Sequence, residues 1–517
     1  MNRSVIHKKV FQLGTLCFAF GIMFGAITTS LPQILLGLNW LFEGQFQLKW
    51  QRFKKQPWIW FIMAYWFWLW AGVFYSEDSL IALQQVKIQL PLVSWALIYM
   101  TSEPFDAGFF KRIIQVFLTG VLLSFIYGLG YQLYKTGFWD ARSLSRFMSH
   151  IRFSQYQVLG FFLLLYLWHQ SSKTKSDNIF AVGLILLSSI VFFSGEFSAM
   201  LMLIFAIPVL IFHKSYNPKW KWLLGLIVAT LLTASLGTIS WMYFRYFKIK
   251  SVAANKIHSK SRSGRPLIHF APGSDAEGGV FIYQNIQMEE LKKSWNARCP
   301  DDTFSFSPAH NLNRYEVLIR YLASMQELKD SAGVSHLSSI DLGNIKSGYH
   351  FQQERNWIPI LKRCYELLRE INDLQLNKDV NGHSIWIRYY FWKTGLLAFK
   401  QTNLWIGTGP GDIQSDMNRI YKQQIQIKPT EYKKPHQQFI TLLLGSGFIG
   451  LILFSGICLY PFFRFSIKSN PFILYWLALC LGLCYEDTVT SQAGVSLVAW
   501  SICFIWQYEH QIKIQHK

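Results

Sequence analysis

The chain has 517 residues, is 51% hydrophobic and 17% aromatic, and carries a formal net charge of +21. That is too apolar and too aromatic for an ordinary soluble protein of this length. Apolar runs long enough to cross a hydrocarbon core of about 30 Å recur along it, and their backbone must be satisfied internally. They are therefore expected to be helices, and the fold class is an all-α polytopic membrane protein.

Twelve spans are expected, at about 10–28, 29–44, 57–75, 84–101, 113–133, 153–169, 178–194, 197–213, 222–244, 438–460, 471–486 and 490–508. The opening MNRSVIHKK resembles the charged region of a signal peptide. No small-residue cleavage site follows it, and a second apolar run comes at once, so the first span reads as a retained helix. Lys8, Lys9, Lys49, Arg52, Lys54, Lys55, Lys111, Arg112, Lys219, Lys221, Arg464 and Lys468 fall in alternate short loops. The positive-inside bias then puts both termini in the cytoplasm. The exception is 134–152, with Lys135, Arg142, Arg146 and Arg152 on the outer side, a cluster that needs another reason.

Three regions follow: spans 1–9 over 1–244, an extracytoplasmic loop domain over 245–437, and spans 10–12 over 438–517. The loop carries more Lys and Arg than Asp and Glu. On that side of a membrane nucleic acid is excluded as a partner, which leaves phosphates and anionic headgroups. Its basic, Ser-rich beginning, KIKSVAANKIHSKSRSGRP, reads as extended. Helical periodicity appears around 280–330 and 356–374, and Ser384 is placed to cap a helix over IWIRYYFWKTGLLAFKQ. These helices either lie on the membrane surface or form a small lid with its own core. Cys299 and Cys364 share the loop, where a disulfide is chemically allowed, and spacing leaves the pairing open. The other five cysteines lie in spans as small apolar packers, and no Cys/His set has zinc-site spacing.

Residues 433–450, KKPHQQFITLLLGSGFIG, set His436, Gln437 and Gln438 at the mouth of the tenth span. Orphan amides and the positive end of the helix dipole favour an anion there, and a neutral imidazole can take a proton from a hydroxyl. An interfacial histidine at a helix end is the plainer reading. Gly445, Gly447 and Gly450 read as a face for close helix packing. Arg146 and Arg152 flank His150 in SRFMSHIRFSQYQ, and Arg388 stands in SIWIRYYFWKTG. Guanidinium groups bind phosphate bidentately, so each is a candidate phosphate ligand; the alternative is a headgroup anchor for Arg146 and Arg152 and an exposed position on an amphipathic helix for Arg388. GTGPGD (407–412) follows a helix, so it reads as a rigid turn with Asp412 capping the next helix, not as a nucleotide loop. Glu196 and the pair Glu486–Asp487 lie at outer span ends, where acids are functional candidates and also ordinary interfacial groups.

His436, Gln437, nine further residues and then Gly447-Phe448-Ile449-Gly450 resemble the signature of the O-antigen ligase and polymerase superfamily. The two threonines that can follow it in ligases are Leu451 and Ile452 here. FYSEDSLIALQQVKIQLPL, SHIRFSQ, RYYFWKTGLLAFKQTNLWIGTGPGD and YEDTVTSQAG, together with IRYLASMQELKDSAGVSHL in the loop, look like segments of one subgroup with a long periplasmic insert. The resemblance implies a C-type glycosyltransferase-like fold in a bacterial inner membrane, with the active site facing the periplasm. It implies a glycan donor on undecaprenyl pyrophosphate, a sugar hydroxyl of lipid A–core or another glycan as acceptor, inversion, and neither metal nor any other cofactor. Carried over by motif, His436 is general base or pyrophosphate donor. Arg152 and Arg388 hold the pyrophosphate with Arg146 and Gln437 near it, and Glu486 gives support. A ligase leads; a polymerase of the same superfamily is the closest alternative, and a protein-glycosylating relative the third. Many relatives carry Ser-Arg where spans seven and eight meet. Ser194-Gly195-Glu196 stands there instead, so no arginine role transfers to that corner. A transporter of an anionic lipid or sugar would place its charges at mid-membrane depth. Here they gather at the outer ends of spans.

Overall fold

The structure is a computed structural model that describes residues 3–136, 144–170, 257–269, 276–277, 280–304, 314–357, 359–375, 386–424, 428–464 and 472–515, with scattered residues between 179 and 248. The spans expected at 178–194, 197–213 and 222–244, Ser194-Gly195-Glu196, Arg142 and the Ser384 cap lie wholly or largely outside the described residues. The chain divides into two compact units, Met1–Val228 with Trp386–Lys517, and Ala229–Ile385.

The first unit opens with α1 (Arg3–Gly21), α2 (Ala26–Glu43), α3 (Phe46–Lys54), α4 (Pro57–Tyr75), α5 (Ser79–Ile88), α6 (Leu90–Thr101), α7 (Ala107–Thr136) and α8 (His150–Gln170). The expected span 84–101 is two helices, because Pro91 at the start of α6 restricts the residue before it and supplies no N–H. Asp78 caps α5 by accepting from Ile81 N at 2.9 Å.

The second unit holds two antiparallel two-residue strands, β1 (Ala276–Glu277) and β2 (Val280–Phe281), as its departure from an all-α chain. Its helices are α9 (Met288–Arg298), α10 (Arg314–Ser324), α11 (Ser331–His336), α12 (Ser339–Lys346) and α13 (Pro359–Gln375). Trp295, Tyr321, Leu322 and Ile345 form a fully buried core of their own, and Tyr246, Phe351 and Tyr365 anchor a second cluster. Of the two alternatives for the loop, residues 282–345 show the core of their own that the second one expects. Asp330 caps α11, and Ser338 with Asp341 makes a reciprocal capping box on α12. The basic stretch is not extended throughout: Ser261 N donates to the Arg265 carbonyl at 2.7 Å, and Gly264 takes φ +89° to close a turn. Cys299 and Cys364 are free thiols, one in each cluster.

The first unit resumes with α14 (Trp386–Lys400), α15 (Ile413–Gln424), α16 (Gln438–Arg464), α17 (Phe472–Leu483) and α18 (Gln492–Gln515). Helices α14 and α15, expected within the loop domain, pack in this unit instead. Among the described residues, four helical stretches are long and apolar enough to cross a membrane: Pro57–Tyr75, Ser79–Thr101, Ala107–Lys135 and Gln438–Arg464. Phe472–Leu483 is a shorter apolar helix.

Two tryptophans repair a defect in α16. Pro461 has no N–H for the Ile457 carbonyl four residues back. Trp58 Nε1 donates to that carbonyl at 3.0 Å, and Trp476 Nε1 to the next, Cys458, at 2.6 Å. All three helices are thereby fixed to one another through a buried tryptophan cluster.

Candidate active site

The glycine signature is a break in α16, not a smooth packing face. Gly447 adopts φ +62°, ψ −167° inside the helix. The interrupted ladder frees Leu444, Gly445 and Ser446 carbonyls and the Phe448 and Ile449 amides. Each is taken up: Thr408 N donates to Leu444 O at 2.8 Å and Gly409 N to Gly445 O at 3.2 Å. Trp68 Nε1 donates to Ser446 O at 2.9 Å. Phe448 N and Ile449 N donate to the Leu404 and Trp405 carbonyls at 2.9 and 3.2 Å. Free backbone groups are not tolerated in an apolar setting, so the break and the 404–409 turn require each other. Gly407 is needed for the same contact, since a Cβ there would lie 2.5 Å from Leu444 O. The turn is anchored at its far end by Asp412. Its carboxylate accepts from Glu77 N and Asp78 N, both at 2.9 Å, rather than capping α15 by its side chain.

This docking brings α14 against the start of α16. Arg388, Phe391 and Gly395 recur at i, i+3 and i+7, one helical face. Gly395 lets Pro435 and Ile440 approach, for a Cβ would lie 2.8 Å from Ile440 Cγ2 and 3.1 Å from Pro435 Cγ. Phe391 packs on the His436 ring at 5.7 Å between centroids. Arg388 Nη1 donates to the Tyr485 carbonyl at 3.2 Å and lies 3.7 Å from Glu486 Oε2.

His436 itself takes φ +50°, a left-handed conformation shared with Gln45, Asn285 and Gln326 and one in which histidine is enriched among non-glycine residues. It aims Nδ1 at two acids, Asp487 Oδ1 at 3.6 Å and Glu486 Oε1 at 4.0 Å. The segment that carries those acids is held from both sides. Gln438 Oε1 accepts from Val489 N at 2.9 Å, and Gln89 Nε2 donates to Val489 O at 2.6 Å. Gln437 serves the helix instead, for its Oε1 accepts from Ile440 N at 2.5 Å and caps α16.

Burial, then the neighbouring Asp487 charge, pushes the Glu486 carboxyl above the ordinary carboxylate range, while His436, Arg388 and Arg152 pull it back. Arg152, in the first turn of α8, therefore belongs to the same electrostatic neighbourhood. Arg146 is engaged elsewhere. It donates to Tyr131 Oη at 2.9 Å and stacks over that ring at 4.1 Å, away from the histidine.

His436, Glu486 and Asp487 each offer one ligand atom, all within 4.8 Å of one another, a spacing that a small cation can fill. The sequence does not reveal this cluster, because its members are about fifty residues apart. Two guanidinium groups already balance the acids, so the protein supplies its own counter-charge. The sequence alone favours Glu486 over Asp487, although Asp487 is the nearer to the imidazole. The adjacent pair of acids after an apolar helix is the available signal.

Residues 352–455 match the model of the family described as O-Antigen ligase (Wzy_C). That stretch contains Arg388, the 404–412 turn, His436 and the glycine break. No curated protein matches the chain. The match places residues 352–455 in the O-antigen ligase (Wzy_C) domain family, whose polytopic membrane enzymes transfer lipid-linked glycans.

Proposed function

We propose that the chain is an O-antigen ligase-type glycosyltransferase. It moves a glycan from undecaprenyl pyrophosphate to a sugar hydroxyl of lipid A–core at the periplasmic face of the inner membrane, without a metal and with inversion. The observation that carries this is the convergence of His436, Asp487, Glu486 and Arg388 on one side of α16. An imidazole facing a carboxylate through Nδ1 keeps its proton there and leaves Nε2 to accept one.

The acceptor hydroxyl gives its proton to His436 Nε2 while its oxygen attacks the anomeric carbon. The bond to the pyrophosphate oxygen breaks, and that oxygen departs with the electron pair. Arg388 and Arg152 offset the charge that grows on it. Arginines in this role make a divalent ion unnecessary. A polymerase of the same family uses the same steps with a second lipid-linked glycan as acceptor.

The test uses membranes holding the full chain, lipid-linked glycan and lipid A–core. His436→Ala should lower transfer by about 10²–10⁴-fold, the usual worth of a general base. Arg388→Ala should lower it by about 10²–10³-fold, as for a lost charge-stabilising donor. Both variants must still insert. Full transfer by both ends the catalytic assignment. A chelator should leave transfer unchanged, and a rate restored only by added divalent ion would put a cation on His436, Glu486 and Asp487. Product on lipid A–core marks a ligase, and lengthened lipid-linked glycan a polymerase.

A further inference from the structure

We propose that Gln155 is a donor-sugar contact of the same site. Its side-chain amide hydrogen-bonds a hydroxyl or acetamido group on the sugar joined to the pyrophosphate. The inference rests on the glycan-transfer reading above.

Gln155 is 1% exposed, yet neither Nε2 nor Oε1 has a hydrogen-bond partner. Buried amides are almost always paired, and one with both ends unmet calls for a partner that arrives later. It is not an isolated case. Arg152 Nε, Glu486 Oε2 and Thr488 Oγ1 are also buried without a hydrogen-bond partner. These atoms lie along two packed segments. Arg152 and Gln155 stand three residues apart on one face of α8. Gly482 and Glu486 stand four apart on α17 and the segment after it. Helices α8 and α17 pack together, and a Cβ on Gly482 would lie 3.2 Å from Gln155 Nε2. The amide therefore sits about 5 Å, one helical turn, along α8 from the arginine assigned to pyrophosphate. Gly482, with no side chain, lets the amide pack directly on α17, beside Met202.

The chemistry of the amide selects among ligand groups. Phosphate oxygens only accept, so they satisfy Nε2 and leave Oε1 unmet. A sugar hydroxyl or acetamido group both accepts and donates, and satisfies both ends. A sugar bonded directly to the pyrophosphate has such substituents within a helical turn of it.

The experiment measures transfer kinetics for the full-length protein in membranes. Gln155→Leu should raise KM for the lipid-linked glycan by about tenfold or more, as when a site loses a hydrogen bond built for its substrate. KM for the acceptor should not change. Inhibition by undecaprenyl pyrophosphate without sugar should match wild type. An unchanged donor KM would mean that the amide only holds water or shapes the fold, and the proposal falls. Equal weakening of the sugar-free inhibitor would make Gln155 a phosphate ligand and also overturn it. If Gln155→Leu does not insert, Gln155→Asn, which keeps the amide but shortens its reach, must show the same split. Wild-type protein that transfers no glycan defeats the catalytic reading itself. Wild-type transfer with unaltered Gln155→Leu kinetics defeats this inference alone.

Discussion

His436 and Glu486 show opposite ways of holding a reactive group. The histidine is fixed by backbone: Pro435 precedes it, Gln437 caps the helix that follows, and φ +50° turns the ring toward the acids. The glutamate is fixed by burial, and its Oε2 has no hydrogen-bond partner. Burial raises its folded pKa above the unfolded value, so the fold disfavours the carboxylate. By linkage, Glu486 weakens the fold at any pH above its unfolded value, and the penalty fades as pH falls below it. Glu486→Gln should therefore melt higher than wild type at pH 8, with the gap closing toward pH 4. Thermal melts at the two pH values check this, and a constant gap would mean that burial is not the cause. Glu290 in the second unit has the opposite sign. Burial pushes it up, but hydrogen bonds from Ser263, Ser261 and Ser331 outweigh that and bring it to about 2. Its contribution is present above the unfolded carboxylate value and is lost as pH falls toward 2, so Glu290→Gln should destabilise at pH 7 and cost little near pH 2. His436 and Arg388 are legible as candidates only through the family signature and the segments that accompany it, since an imidazole at a span mouth or a guanidinium on an amphipathic helix has ordinary structural uses. Asp487 and the unmet amide of Gln155 are not, since the first needs α16 and the last loop brought together. The second needs knowledge of what fails to reach it.

At the scale of elements, periodicity and hydropathy place most of the described helices but not α3, α11 or α12, and the breaks missed within apolar runs share a cause. A single apolar stretch looks the same whether or not it is broken, so the Pro91 boundary between α5 and α6 and the Gly447 break in α16 are both invisible to hydropathy. Gly-x-x-Gly spacing suggests close packing against another helix. Gly445 does pack against a helix residue, Ile413 of α15, but at Gly447 the partner is a loop and the contact is backbone to backbone. The distinction has a measurable consequence. A Cβ at Gly447 would lie 2.2 Å from Trp405 O, and φ +62° is strained for any other residue. Gly447→Ala should cost at least the 1–3 kcal/mol or so of such strain and release the 404–409 turn. Gly37 in α2 has nothing within 4 Å of an added Cβ, so Gly37→Ala should be neutral or gain up to about 1 kcal/mol from helix propensity. Comparing the two melts separates a conformational glycine from a dispensable one. Equal effects would refute the account of the break.

For the whole molecule, the charge distribution and the insert make one statement about sidedness. Under the positive-inside rule the cations of α3 and the loop before α4 are expected in the cytoplasm, and the twelve-span reading proposes the opposite side for the signature histidine. The second unit carries a hydrophobic core that needs no lipid, with Trp295 and Tyr321 fully buried. A core of that kind sits on one side of a membrane, and the expected span count puts residues 245–437 on the periplasmic side. The reading is testable by labelling. Lys54 and Lys293 are both exposed, one at the end of α3 and the other on α9. In a background where the seven cysteines are replaced, Lys293→Cys in sealed cells with a permeable outer membrane should react with a membrane-impermeant thiol reagent. Lys54→Cys should react only after the inner membrane is broken. The same side for both would reverse or remove a span between them, and with it the placement of the transfer site in the periplasm.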